Sequence, residues 1–276
     1  MIHSQAKCIL AATLVLSSTV WAKEVSWVDP LTDSAFLPVK KGCFTMGSRQ
    51  LQQPSSSLAW LHYGYRGHLN ADELPAHRVC VKGFWLGKHE VTAAAWERVL
   101  GERPPAGEGN EPVRGISLHD ARRFLVRLNE RSPNDRFRLP TEAEWEYACR
   151  AGGNDDAVSQ YLVAAQKSLG ARFATTGVNG PLPVGQLKPN AWGFHDMLGN
   201  VWEWVADAYR ADAYKSHALY DPTTPGREGD PAGLRGGSYR SEIAHIRCAN
   251  RSHDLATAAL PQYGLRLVRE QARSTR

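Results

Sequence analysis

The chain has 276 residues, of which 42% are hydrophobic and 22% are charged, so it can bury the core of one large domain or two small ones. Its formal charge at pH 7 is +5 and its pI is near 9.0, yet its basic residues do not form runs interleaved with aromatic residues. This composition excludes a low-complexity chain and argues against nucleic acid as the partner.

The N-terminus has the pattern of an export signal. Residues 9–20 are an apolar run after a weakly basic start, and small residues precede the expected cleavage point between Ala22 and Lys23. We therefore predict a signal peptide over residues 1–22. A membrane anchor is the competing interpretation, but the run is short for a bilayer span. We expect a periplasmic or secreted protein that does not span the membrane after cleavage.

Cleavage would leave four of the 5 cysteines, namely Cys43, Cys80, Cys149 and Cys248. An even number of cysteines in an oxidising compartment predicts two disulfides. None of them forms a C-x-x-C pair, which argues against a redox motif or a zinc ribbon.

The first part of the chain predicts short strands separated by a polar segment. Residues 36–47 are typical of a strand, a turn and a second strand, and residues 79–88 predict a second hairpin-like unit. Cys80 could reach Cys43 between the two units. The polar residues 48–74 between them predict a surface loop, with an aromatic patch at Trp60, His62, Tyr63 and Tyr65.

Three helices follow. Thr92 is a candidate cap for a helix over residues 93–100, and the apolar spacing within residues 117–130 predicts an amphipathic helix. Thr141 and Glu144 form a capping-box pattern at the start of a third helix. This helix carries three glutamates, which we interpret as offsets to the helix dipole rather than as catalytic acids: Glu142, Glu144 and Glu146.

The C-terminal half has less regular patterning. Residues 154–183 have no clear periodicity, residues 207–231 predict a long surface excursion, and residues 263–269 predict a closing strand. Short helices, many turns and few long strands together indicate an irregular α+β domain.

Residues 193–204 combine carboxylates, glycines and aromatic residues without helical or strand periodicity. Four of them have spacings at which two carboxylates and two backbone carbonyls can converge on one hard cation such as calcium: Asp196, Gly199, Val201 and Glu203. The alternative is a buried aromatic turn without metal, built on Trp192, Trp202 and Trp204.

Several of these segments together resemble the formylglycine-generating enzyme family, also called sulfatase-modifying factors. The matching segments are residues 42–47, 90–92, 138–147, 196–204, 235–239, 247–248 and 264–266. They occur in the family's order and extend over nearly the whole chain after residue 38. The resemblance implies a single domain over residues 23–276 with the family's C-type-lectin-related α+β fold.

The resemblance also implies ligands and a disulfide. Asp196, the carbonyls of Gly199 and Val201, and Glu203 match a family calcium site, and we expect one calcium rather than two. Cys149 and Cys248 match a structural cystine of the family, which leaves Cys43 and Cys80 as the other pair.

The chain departs from the family at the copper site. In the copper enzymes, two cysteine thiolates that bind copper(I) lie between the segments matching residues 235–239 and 247–248. Here no cysteine occupies residues 240–246; Ser241 stands at the first thiolate position, and Ile243 or Ile246 at the second. Because hydroxyls do not replace soft thiolates, we expect no copper.

Some pocket residues are retained. Ser238 and Trp202 match residues that line the family pocket. Glu242 and His245 could supply acid/base chemistry or a weak metal site, although such residues in a loop usually face water. A hydrolytic triad of Ser238 or Ser241 with His245 and Asp254 lacks a supporting nucleophile motif. The catalytic candidates are therefore Ser238, Ser241, Glu242 and His245.

Three functions follow from the resemblance. The first is a copper-free accessory or regulatory protein that binds a peptide or protein partner in the cell envelope. The second is an oxidoreductase with thiol-independent chemistry, similar to the periplasmic family member that matures the pyoverdine siderophore chromophore. The third is formylglycine generation. Retained turnover would favour an enzyme, and capture of an envelope protein would favour a binding protein.

Overall fold

A computed structural model describes residues 26–48, 71–153, 180–241 and 246–271. The predicted signal peptide, the aromatic patch at residues 60–65, most of residues 154–183, and both Glu242 and His245 lie outside these ranges. The helices are α1 (Ala93–Leu100), α2 (Leu118–Glu130) and α3 (Glu142–Cys149). The strands are β1 (Trp27–Val28), β2 (Ala35–Val39), β3 (Gly42–Met46), β4 (His77–Val81), β5 (Phe84–Gly87), β6 (Asp135–Arg138), β7 (Trp202–Ala208), β8 (Ala232–Arg235), β9 (Arg251–Asp254), β10 (Tyr263–Leu265) and β11 (Val268–Gln271).

The described strands form three sheets. The first has the order β1-β2-β5-β11-β6, the second has the order β10-β7-β8-β9, and the third is the pair β3-β4. All pairings are antiparallel except that of β10 with β7. This mixture of short helices and small sheets is the α+β class that the sequence predicts.

The two predicted hairpins are wrong in their pairing. Strand β2 pairs with β5 and strand β3 pairs with β4, so the two strand-turn-strand units pair with each other. A two-residue hairpin turn favours residues with positive φ. Neither connection, residues 40–41 or residues 82–83, has one. Each connection therefore leads the chain from one sheet into another.

The predicted closing strand is also two strands. Strand β10 lies beside β7 in the second sheet, whereas β11 lies between β5 and β6 in the first. Arg266 separates them, and its fully buried side chain extends towards Glu203. The chain thus passes from the second sheet to the first at the position where the Arg266 guanidinium is buried.

The three helices have the predicted positions and defined N-terminal caps. Thr92 accepts a hydrogen bond from the amide of Ala95, and Thr141 forms the predicted capping box with Glu144. Helix α2 has a further capping box, between Ser117 and Asp120, that the sequence analysis did not identify.

The interpretation of the α3 glutamates as dipole offsets is incomplete. All three are buried, and each forms an ion pair with an arginine from a distant part of the chain or a neighbouring strand. The pairs are Glu142 with Arg251, Glu144 with Arg138, and Glu146 with Arg235. Burial of unpaired carboxylates would be costly, so these pairs hold α3 in the interior.

Both expected disulfides are present. Cys43 and Cys80 lie opposite each other in the β3–β4 pair, and Cys149 at the end of α3 is bonded to Cys248. The predicted surface excursion is exposed over most of its length, but Asp207 and Tyr214 are buried within it. Among the helices in the described ranges, none has the length and apolar character needed to cross a membrane.

Candidate functional site

The predicted calcium loop is an irregular segment that ends where β7 begins. Asp196 and Asn200 have φ values of 57° and 55°, and Gly199 has a φ of 100°. The amide of Gly199 donates to the carbonyl of Gly236 at 2.9 Å, and the amide of Tyr239 donates to the carbonyl of Asn200 at 2.9 Å. The loop is therefore joined to the double-glycine segment after β8.

Protein donors already engage Glu203, one of the predicted calcium ligands. The Nη2 atom of Arg266 lies 2.8 Å from Oε1 of Glu203, and the indole Nε1 of Trp145 donates to Oε2 at 2.7 Å. All three side chains are buried. Glu203 thus positions Arg266 and Trp145, whether or not it also contacts a cation.

Asp196 is the second predicted carboxylate ligand, and it is only 8% exposed. Its Oδ2 accepts a hydrogen bond of 2.7 Å from the amide of Gly185. Burial raises the pKa of Asp196, and the charge of Glu203 acts in the same direction, whereas Arg266 opposes it.

Glu90 is a buried carboxylate whose role the sequence analysis did not assign. It is fully buried, and neither of its oxygens has a hydrogen-bond partner. Burial raises the pKa of Glu90 well above its usual range, with a further contribution from the charge of Asp196. In the sequence, Glu90 is marked only by its position in the segment 90–92, one of the segments that match the family.

The electrostatics of this region suit a divalent cation. Glu90, Asp196 and Glu203 contribute three carboxylates, and Arg266 is the one cation among the residues that perturb the pKa of Glu90. A hard cation would favour the ionised forms of these carboxylates and supply the partner that the Glu90 oxygens lack. No cluster of three or more His, Cys, Asp or Glu side chains in the described part of the chain is arranged to hold a metal, so backbone carbonyls would have to complete the site.

The double glycine after β8 allows a close backbone approach. Gly236 and Gly237 have φ values of 99° and 79°, which a residue with a side chain rarely adopts. A Cβ atom at Gly236 would lie 3.2 Å from the ring of Trp145. The glycines thus bring the segment that carries the predicted pocket serines onto α3.

Ser238 and Ser241 lie together in a tight turn. The amide of Ser238 donates to Oγ of Ser241 at 2.9 Å, and the amide of Arg240 donates to Oγ of Ser238 at 3.2 Å. Asp254, the acid considered for a triad, instead accepts a hydrogen bond of 2.8 Å from the hydroxyl of Tyr263. The serines therefore form a local backbone-stabilising pair, and His245, the base considered for the triad, lies outside the described residues.

Trp202, the predicted pocket aromatic, is half-buried and packs against one of the two hydrophobic core clusters. Two grooves on the protein have volumes of about 810 Å³ and 690 Å³, and neither is lined by Trp202 or Ser238. The structure thus places Ser238 and Ser241 together and joins their segment to the loop that carries Asp196.

The fold and this pair of joined loops define a single α+β domain of the formylglycine-generating-enzyme type. The sulfatase-modifying factor enzyme 1-like domain family matches residues 28–271. The chain belongs to this family.

Relatives with known names support the assignment. A formylglycine-generating enzyme of Mus musculus is 25% identical over 304 residues, covering 86% of this chain and 75% of that protein. A formylglycine-generating enzyme of Streptomyces coelicolor is 32% identical over 205 residues, covering 68% of this chain and 61% of that protein. The chaperone protein LppX of Paenibacillus barcinonensis is 28% identical over 242 residues, covering 70% of this chain and 82% of that protein.

Solved structures share the fold. PvdO from Pseudomonas aeruginosa has a TM-score of 0.69 at 23% identity, covering 90% of this chain and 100% of that one. Variable protein 1 of Treponema denticola has a TM-score of 0.68 at 20% identity, covering 88% of this chain and 98% of that one. At these identities the likeness establishes the architecture and does not extend to activity.

Proposed function

We propose that this protein is an exported family member without a copper–thiolate centre, which binds a peptide or protein partner in the cell envelope as an accessory or regulatory factor. The observation that carries the proposal is that the cysteines of the predicted mature chain are all disulfide-bonded. Four of the 5 cysteines are joined in two disulfides. The remaining one, Cys8, lies in the predicted signal peptide, so the mature chain would have no free thiol.

The serine at the first thiolate position does not offer an equivalent ligand. Copper(I) prefers soft sulfur donors, and a neutral hydroxyl is a hard and weak one. Oγ of Ser241 also accepts a hydrogen bond from the amide of Ser238, which engages it within the turn. Copper-dependent formylglycine generation is therefore the least supported of the three functions.

The relatives support a binding role within the family. Proteins similar in sequence to this chain are named as formylglycine-generating enzymes and as a chaperone. Similar sequences with different named roles favour a function that is determined by loops on the domain. The turn that carries Ser238 and Ser241, with the exposed Arg240 beside it, is our proposed contact region for the partner.

An envelope-extract crosslinking experiment tests the binding role. The mature wild-type protein is compared with Arg240→Glu, which reverses an exposed charge in the turn, and with Arg227→Glu, a matched change at another exposed arginine. We expect a specific crosslinked partner in the wild type and in Arg227→Glu, and at least about a tenfold loss in Arg240→Glu, since rim charges alter association. Equal capture by all three proteins would refute the turn as the contact region.

The second candidate is an oxidoreductase with thiol-independent chemistry. Its support is the agreement of fold with PvdO over the full length of that chain, which is a likeness of architecture. Oxygen consumption in the presence of envelope extract, measured on metal-stripped protein and after copper loading, separates the candidates. Sustained turnover without copper favours the oxidoreductase, and turnover only after copper loading restores the formylglycine-generating candidate.

We also propose one structural calcium, held by Asp196, the carbonyls of Gly199 and Val201, and Glu203. Glu90 is a buried carboxylate whose oxygens lack hydrogen-bond partners and whose pKa responds to the charges of Asp196 and Glu203. We propose that the charge of the bound ion stabilises the ionised form of Glu90. Bound calcium would neutralise the carboxylates and fix the loop before β7. It would contribute about 2.7 kcal/mol to stability at a concentration one hundred times its Kd.

Metal analysis by mass spectrometry and thermal unfolding test the calcium site. We expect about one calcium per chain and a lower Tm after chelation, with a smaller calcium-dependent Tm shift in Glu90→Gln, which removes a negative charge that the ion would stabilise. Glu108→Gln, at an exposed glutamate, serves as the control and should retain the shift. An identical Tm with calcium and with chelator would contradict the proposal.

A further inference from the structure

Two histidines from distant parts of the chain meet beside the disulfide-bonded strand β4. His77 begins β4, and His217 follows the short 3₁₀ helix Ala213–Lys215. Nε2 of His77 lies 3.2 Å from Nδ1 of His217, and both side chains are half-buried. Neither histidine belongs to the calcium loop or to the serine turn, so the pair has no role in the proposed function.

The surroundings of His77 determine which ring nitrogen faces its partner. Nδ1 of His77 lies 2.9 Å from the carbonyl oxygen of Pro75. Because a carbonyl can only accept a hydrogen bond, Nδ1 carries the proton. Nε2 of the neutral ring then presents a lone pair towards His217. A backbone carbonyl bound to one ring nitrogen is the usual arrangement behind a metal-binding histidine.

The ring of His217 is also fixed on both sides. Its Nε2 lies 3.4 Å from Oγ1 of Thr224, a hydroxyl oxygen that can accept the hydrogen bond of the Nε2–H tautomer, and in this tautomer Nδ1 has the lone pair that a metal needs. Burial, together with the charge of His77, lowers the pKa of His217 to about 4. Tyr214 packs against both imidazoles, at centroid distances of 4.9 Å from His77 and 5.1 Å from His217.

The backbone holds the two histidine segments together. The amide of Cys80 donates to the carbonyl of Leu219 at 2.7 Å, and the amide of Asp221 donates to the carbonyl of Cys80 at 2.8 Å. Cys80 is in turn bonded to Cys43. The segment after His217 is therefore hydrogen-bonded to β4, and these backbone bonds keep the two histidine rings close to each other.

We propose that His77 and His217 form a binding site for one divalent transition-metal ion, with zinc as the ion that fits best. Imidazole nitrogens suit zinc. With zinc–nitrogen distances of about 2.0–2.1 Å, two nitrogens 3.2 Å apart subtend an angle of about 100° at the metal, close to the tetrahedral value. Water or an external ligand completes the coordination.

The charges around the pair allow a cation. Arg251 is the arginine whose charge acts on His217, and its guanidinium lies over the ring of Tyr214 at 4.4 Å. Glu142 pairs with it at 3.0 Å, so its charge is largely compensated. The site has two protein ligands, which predicts a weaker affinity for zinc than that of a closed structural site with four protein ligands.

Titration of the mature, untagged protein with Zn²⁺ tests the site, with Co²⁺ as a visible reporter of tetrahedral coordination. Calcium is kept saturating, so that failure of the calcium proposal does not affect the result. We expect one zinc per chain, and at least a tenfold weaker affinity in both His77→Gln and His217→Gln. His253→Ala, at an exposed histidine that stacks on Tyr209, should bind zinc as the wild type does.

Folding of each variant is checked by its Tm without transition metal, so that loss of affinity is compared only among folded proteins. If either glutamine variant fails to fold, perturbation of the His77 and His217 ring resonances by Zn²⁺ in the wild type decides the question. Zinc affinity that persists in both glutamine variants, or no shift of these resonances at millimolar Zn²⁺, would show that the rings share only a hydrogen bond.

Discussion

Glu146 of helix α3 offers a direct test of how the interior is held together. It is fully buried, and it accepts hydrogen bonds from the amide of Gly47 at 2.8 Å and from the guanidiniums of Arg150, at 2.7 Å, and Arg235. Both arginines are also buried. The change Glu146→Gln keeps the volume of the side chain but removes the negative charge between two guanidiniums.

The expected loss follows from this geometry. Removing one partner of a buried ion pair costs about 3–5 kcal/mol, because the remaining charges stay in the interior without compensation. In a domain of this size that corresponds to a decrease in Tm of roughly 6–20 °C. Urea unfolding followed by circular dichroism gives the free energy, and thermal unfolding gives the Tm.

A matched change at the surface provides the control. Glu130 pairs with Arg127 at 3.0 Å, and both side chains are 56% exposed. Glu130→Gln should therefore cost no more than about 1 kcal/mol, as exposed ion pairs do. If Glu146→Gln costs as little as Glu130→Gln, the buried ion pairs of α3 do not stabilise the fold.

Three further predictions concern stability. Replacing both Cys149 and Cys248 by serine should cost about 2–5 kcal/mol in urea unfolding, because their bond closes a segment with a sequence separation of 99 residues; an unchanged unfolding midpoint would contradict this. Gly264→Ala should cost about 1–3 kcal/mol, since its Cβ would lie 2.7 Å from the carbonyl oxygen of Val113, and a wild-type Tm would refute the close approach. Burial, with the charge of a neighbouring carboxylate, raises the pKa of Asp207 to about 7, so the folded state holds this proton more tightly than the unfolded state. The contribution of Asp207 to stability should therefore decline between about pH 4 and pH 7, by up to about 1.4 kcal/mol per pH unit. Parallel pH profiles of the free energy of unfolding for the wild type and Asp207→Asn would refute this prediction.

Local features of the fold could be predicted from the sequence because they depend on neighbouring residues. Thr92 and Thr141 cap helices that begin beside them, and the capping box with Glu144 is formed by residues within one turn. The disulfide partners followed from the family resemblance and from strand proximity. The start of a helix depends on residues within about one turn of its cap, so the local sequence is enough to predict it.

Pairing between distant segments could not be predicted in the same way. The alternating pattern of residues 36–47 and 79–88 is the same whether each unit folds on itself or pairs with the other. The distinction depends on φ values at the connections and on the core as a whole. Likewise, nothing local to Glu90 indicates that both its oxygens lack partners, since this depends on residues from the calcium loop and on Arg266.

Calcium, the zinc pair and the partner contact region remain predictions. For the two metal sites, the ion is inferred from the chemistry of the ligand atoms. For the contact region, the partner is inferred from the exposed charge of the turn. Asp196 and Glu203 were found by spacing, whereas His77 and His217 required the fold, because 140 residues separate them in the chain.

The position of β11 has a consequence for synthesis of the chain. This strand is the last one described, yet it lies inside the first sheet, between β5 and β6. A ribosome-bound chain that ends before Val268 would have β5 and β6 without their common neighbour, and unpaired edges of this kind promote association between chains. Premature termination before Val268 should therefore be far more damaging than its distance from the calcium loop suggests, because the first sheet can close only after β11 has left the ribosome.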